Sequence, residues 1–136
     1  MIEINNLTNF VVDKKFFTGV AKKVLKGENK ETENVSIAFV VPSQIQKLNK
    51  KYRKKDKPTD VLSFEKVSDF KDEACEIIIC PAVIRENAKE STLSLKKELA
   101  KILIHGLLHT QGYDHERSKK DEMDMNKKQD YYLNKI

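Results

Sequence analysis

All three histidines of this chain stand in one short stretch, spaced His105-x3-His109-x5-His115, with Gly112 between the second and the third. That spacing leaves the backbone little choice. Residues four apart share one face of a helix, so His105 and His109 can address a common point if the chain is helical there. Gly112 can supply the left-handed conformation that ends a helix, turning the chain so that His115 completes the set. Three imidazoles leave the fourth position of a tetrahedral zinc open, which distinguishes catalytic sites from closed structural ones. One ion per chain is expected, zinc first, although imidazole donors fit nickel as well. The plainer reading makes a histidine in the apolar run Ile102 to His109 a hydrogen-bonded core residue. It suits one histidine better than three with a glycine turn among them.

The stretch reads H-G-x-x-H-x-x-G-x-x-H. This is the metzincin peptidase pattern with Gly106 where the catalytic glutamate belongs. In those peptidases the glutamate is the general base. Glycine cannot accept a proton. The ligand frame is kept, and a peptidase built on it needs a base from elsewhere.

A length of 136 residues fits one domain, residues 1–136, with one core. Hydrophobic content of 39% beside 35% charged residues suits a small protein with a well-solvated surface. The start, Met1 to Asn6, lacks a basic segment followed by an apolar one, so no signal peptide is read and a cytoplasmic location is expected. Apolar stretches are too short to span a membrane, so no membrane association is expected. Cys75 and Cys80, five apart in or beside an apolar strand, would face opposite ways and read as buried reduced thiols. The net charge of +5 permits nucleic-acid binding without establishing it. Of the 26 basic residues only Arg53, Arg85 and Arg117 are arginine. Local crowding says more: Lys47, Lys50, Lys51, Arg53, Lys54, Lys55 and Lys57 lie close together in sequence.

The pattern predicts a first strand at Ile2–Ile4, a helix from about Lys14 to Leu25 and a strand at Val35–Val40. Pro42-Ser43 opens a helix carrying Ile45, Leu48 and Tyr52. Val61–Phe64 and Glu76–Cys80 read as strands, the second apolar enough for burial on both faces. Pro81 starts a helix to about Glu90. Ser94 is the expected N-cap of the histidine helix, with Leu95, Leu99, Ile102, Leu103 and Leu107 as its apolar side. A last helix runs from Lys119 to Asn134, its register set by Met123, Met125 or Leu133. The fold class expected is α+β, a small mixed sheet packed with helices, with the metal site on a central helix and the turn after it.

A second constellation lies upstream, running from Leu48 through Lys50-Lys51-Tyr52-Arg53-Lys54-Lys55-Asp56-Lys57-Pro58 to Thr59-Asp60-Val61-Leu62-Ser63-Phe64. It reads as a basic helix end, a polar turn and a strand. Cations at a helix C-terminus are favoured by the helix dipole alone. An arginine beside a metal centre would also suit a phosphate substrate, because its planar fork matches phosphate oxygens.

Together with His105-Gly106-Leu107-Leu108-His109-Thr110-Gln111-Gly112-Tyr113-Asp114-His115, this segment closely resembles the YbeY family of single-strand-specific, metal-dependent endoribonucleases. Motif order and total length agree, so the resemblance covers nearly the whole chain. One departure is Cys75 before Glu76, where the family usually has glycine. The resemblance implies zinc ligation by His105, His109 and His115, a functional role for Arg53, and a cleft lined by the strand Thr59–Phe64. It further implies single-stranded RNA, ribosomal RNA above all, as substrate, with ribosomal or assembly proteins as partners in rRNA maturation and ribosome quality control. In that setting Lys50, Lys51, Lys54 and Lys55 would track neighbouring phosphates. Asp114 would orient a ligand imidazole, or else serve as a turn residue after Gly112. Tyr113 reads as a packing residue. Two other functions compete: an RNA-binding ribosome-assembly factor with a structural metal, and a metallopeptidase.

Overall fold

The computed structural model describes residues 1–66, 73–113 and 118–136. Its elements run β1 (Ile2–Asn6), α1 (Lys14–Gly27), β2 (Asn34–Phe39), α2 (Pro42–Arg53), β3 (Val61–Phe64), β4 (Ala74–Ile79), α3 (Pro81–Asn87), α4 (Leu95–Thr110) and α5 (Lys119–Leu133). The strands form one mixed sheet in the order β1-β2-β4-β3. β1, β2 and β4 are parallel neighbours, and β3 joins the edge antiparallel to β4. A parallel pair needs a crossover, and α1 supplies it between β1 and β2. This is the α+β architecture read from the pattern.

Period-two alternation divides the sheet into two faces. Val35, Ile37 and Phe39 of β2 lie in register with Cys75, Ile77 and Ile79 of β4. All six are buried against Phe17, Val20 and Val24 of α1, Leu103 and Leu107 of α4, and Met125 of α5. Each such side chain contributes roughly 1.5–3 kcal/mol when removed from water. The opposite face carries a smaller cluster in which Ile45 of α2 meets Leu62 and Cys80, with Ala38, Leu48, Phe64 and Ile78 around them. Here β4 differs from expectation. Glu76 is exposed, so the strand is covered on both faces only toward its C-terminal end, where α2 packs.

Cys75 belongs to the larger cluster and Cys80 to the smaller, and both are free thiols. Burial pushes both thiols up from their ordinary range, which keeps them protonated and poor as ligands. Cys75, at the family's glycine position, pairs with Val35 inside an unbroken strand.

Several boundaries moved. α3 stops at Asn87 instead of about Glu90. In α4 the buried stripe holds Leu99, Leu103, Ile104, Leu107 and Leu108, while Ile102 is half-buried. Met125 sets the register of α5 and is fully buried, whereas Met123 is 58% exposed. Among the described residues no helix is long and apolar enough to cross a membrane.

Candidate active site

α4 carries the two described histidines, and both of its ends are built for the purpose. Ser94 stands at the N-cap and accepts from the Lys97 amide through Oγ at 3.2 Å, satisfying one orphan donor. At the other end Gly112 takes φ +94°. The Gly112 amide donates to the His109 carbonyl at 3.2 Å and the Tyr113 amide to the Leu108 carbonyl at 3.2 Å. These two bonds make a Schellman cap, and a residue with φ in that range is best a glycine. The glycine turn inferred from spacing is therefore present. His115 and Asp114, which follow it, lie outside the described residues.

His105 and His109 project from one face, their ring centroids 5.3 Å apart with planes at 62°. Both are half-buried. Gly106 faces the other way, into the sheet: a Cβ there would meet Ser63 Oγ at 3.0 Å and Ile77 Cγ2 at 3.1 Å. The missing side chain at this position lets α4 settle directly on β3 and β4.

The two rings open into a cleft of about 640 Å³. Arg53 at the end of α2 and Lys55 just beyond it line its rim, Thr59, Asp60, Val61 and Ser63 one wall, and Lys101 with Ile102 the α4 side. Asn126 and Gln129 of α5 complete the described lining. Among the described lining residues three cations thus stand against one carboxylate, a balance that favours an anionic ligand.

The turn holding Arg53 and Lys55 is fastened from beneath. Asn49, a buried polar side chain, donates through Nδ2 to the Lys57 carbonyl at 2.9 Å. Its own carbonyl accepts from the Lys55 amide at 3.3 Å. Lys54 ends α2 in the left-handed conformation, with φ 58°. Of the four lysines singled out as RNA contacts, Lys55 alone lines the cleft. Lys50 pairs with Asp56 at 3.8 Å, Lys51 lies 5.2 Å from the Tyr52 ring centre, and Lys54 caps the helix outside the lining.

Behind the turn after α4 lies a cluster that the sequence did not reveal. The Glu28 carboxylate accepts from the Tyr113 hydroxyl at 2.9 Å and from the Tyr132 hydroxyl, with the Lys128 ammonium 3.4 Å away. Burial pushes the Glu28 carboxyl up, but the two phenols and Lys128 outweigh it and hold it below its ordinary value. Tyr113 is half-buried against the main core, so it packs as expected and also anchors. A Cβ on Gly27 would overlap the Tyr132 phenol, which explains the glycine beside the acid.

Two cleft residues also went unread. Asn126 and Gln129 sit three apart in a helix otherwise full of charges, a spacing that places them on one face. Two uncharged amides in that setting were the available signal. Gln129 is buried, and its Oε1 lies 3.0 Å from Nδ1 of His105.

Among the described residues no three donors gather for a metal, but two imidazoles at helical spacing, donors of the kind a divalent metal takes, turn into one polar cleft, and the ring of His105 meets an amide oxygen through Nδ1. With Nδ1 so engaged, a metal at this ring would bind through Nε2.

Comparison with known proteins agrees in extent with the motifs. The family model described as Endoribonuclease YbeY matches residues 3–136. The Endoribonuclease YbeY of Thermotoga neapolitana is 38% identical over 128 residues, covering 87% of this chain and 84% of that protein. Its counterpart in Persephonella marina is 36% identical over 129 residues, 92% of this chain and 84% of the relative. A solution structure of a Thermotoga maritima protein superposes with a TM-score of 0.71 at 34% identity, covering 98% of this chain and 87% of that one.

Proposed function

As the chain belongs to the YbeY family of endoribonucleases, we propose that it is a zinc-dependent, single-strand-specific endoribonuclease that acts in the cytoplasm on ribosomal RNA, in rRNA maturation and ribosome quality control. The observation that carries this reading is the meeting of His105, His109 and Arg53 in one cleft. A metal held by two imidazoles beside a guanidinium suits a phosphodiester better than a peptide, since the peptide linkage carries no negative charge for Arg53 to neutralise.

His105, His109 and His115 would hold the zinc, one ion per chain. When bound, zinc supplies Lewis acidity toward a phosphoryl oxygen and acidifies water. Arg53 grips the scissile phosphate through its planar fork and stabilises charge developing on the phosphate oxygens. Lys55 and Lys101 neutralise neighbouring phosphates, while Lys50, Lys51 and Lys54 extend the basic approach outside the cleft. Asp60 is the carboxylate in the described lining that offers a proton acceptor. Asp114, next to His115 in sequence, would orient that ligand's imidazole. A flexible single strand can bend its phosphates into such a cleft, and a stiff duplex resists doing so.

The peptidase alternative is disfavoured by Gly106, where the base would stand and which instead packs on Ser63 and Ile77. The test is a substrate comparison. Purified protein should cleave single-stranded RNA in a chelator-sensitive way and leave unstructured polypeptides intact. Metal-dependent proteolysis with inert RNA would reverse the assignment, and RNA binding without cleavage would make the protein an assembly factor with a structural metal.

A further inference from the structure

Among the described residues two polar side chains are buried, Asn49 and Gln129. Asn49 is accounted for by the turn it fastens. Gln129 projects from α5 toward a different helix and meets His105 across 24 positions of sequence, Oε1 to Nδ1 at 3.0 Å. Burying an amide costs free energy unless its hydrogen bonds are made. A leucine would have filled the same space beside Met125 with no such requirement.

We propose that Gln129 is the positioning residue of the metal site, its amide oxygen accepting from Nδ1–H of His105 so that Nε2 of that ring is presented to the cleft. This rests on the reading of His105 as a metal ligand. An amide oxygen can only accept, so the contact selects the Nδ1–H tautomer and leaves the lone pair on Nε2, the nitrogen a metal needs. It also fixes ring rotation, because α5 is held to the main core by Met125 and Tyr132. Ligand histidines commonly donate their second N–H to a carboxylate, a carbonyl or water, and losing that partner typically weakens metal binding 10–100-fold. The use of an amide has a consequence of its own. It orients the imidazole without adding negative charge to a cleft whose described lining holds Arg53, Lys55 and Lys101 against Asp60.

The experiment needs no catalytic readout. Zinc affinity is measured by competition with a chromophoric chelator for metal-free wild type, Gln129→Leu, Gln129→Glu and His105→Ala. The tautomer of His105 in metal-free wild type is read from its ring nitrogen NMR shifts at a pH where the ring is neutral. The expected tautomer carries its proton on Nδ1. Gln129→Leu should weaken zinc about 10–100-fold while its folded spectrum persists, and Gln129→Glu should bind at least as tightly as wild type. An Nε2–H tautomer in wild type overturns the proposal. So does any affinity order other than Glu at or above Gln, and Gln above Leu. If His105→Ala itself binds zinc like wild type, the ligand assignment fails. If His105→Ala loses zinc and Gln129→Leu does not, the role of Gln129 alone is refuted.

Discussion

Gly106 and Ser63 approach so closely that a Cβ on the glycine would lie 3.0 Å from the serine Oγ. The contact joins α4 to β3 at the level of the histidines, and Ser63 also lines the cleft. Gly106→Ala sets a helix-propensity gain of about 1 kcal/mol against overpacking on Ile77, which typically costs about 1–3 kcal/mol. Ile77 is β-branched and fully buried, so it gives way poorly and the net effect should be destabilising. Gly106→Glu should be worse, by more than about 2 kcal/mol, because a carboxylate is then pressed into the same space. Chemical denaturation checks both variants, and neither should acquire peptidase activity.

Arg53 and Lys54 are adjacent in sequence but differ in place: the first lines the cleft and the second caps α2 outside it. Arg53→Ala should keep the fold and lower RNA cleavage by an amount corresponding to about 2.7–4 kcal/mol, the usual cost of removing a group aimed at developing charge. Arg53→Lys should restore part of that, since an ammonium lacks the planar fork. Lys54→Ala should leave turnover near wild type and flatten the salt dependence of binding by roughly one phosphate contact. Identical behaviour of Arg53→Ala and Lys54→Ala in turnover and binding would reduce Arg53 to part of a solvated basic surface.

Glu28 contributes stability with a definite pH sign. Its carboxyl is held below the ordinary value of 4.5, so the folded state binds that proton less readily than the unfolded chain. The contribution is fully present above about pH 4.5 and is lost as pH falls through the lowered folded value. Glu28→Gln should cost about 1.5–3 kcal/mol at neutral pH, the range for hydrogen bonds to a charged group. Thermal melts at pH 6 and pH 3.5 check this: the difference between wild type and Glu28→Gln should shrink at the lower pH. Tyr113→Phe, which keeps the ring and removes the hydroxyl, should lose a smaller share.

Local chemistry was legible in the sequence and long-range chemistry was not. Pro42, Ser94 and Gly112 marked helix ends because a fixed φ, a hydroxyl acceptor and a left-handed backbone are properties of single residues. The Val61–Phe64 strand was read to the residue because its flanking turn is polar and proline-bearing. The register of α5 was ambiguous, since Met123 and Met125 are equally apolar and only packing decides between them. Gln129 and Glu28 escaped for a related reason. Each acts across a fold contact, Glu28 reaching Tyr113 over 85 positions and Tyr132 over 104. The convergence of Arg53 with His105 and His109 was anticipated through family resemblance, because spacing alone could not bring the end of α2 to α4.

Cleavage of a single-stranded RNA oligonucleotide by metal-stripped protein, followed as zinc is added back, tests the central claim most directly. Stripped protein should be inactive, activity should return and level off near one equivalent of zinc, and the His105→Ala/His109→Ala double variant should stay inactive at the same zinc concentrations. Equal cleavage by stripped protein, reconstituted protein and the double variant would contradict the account.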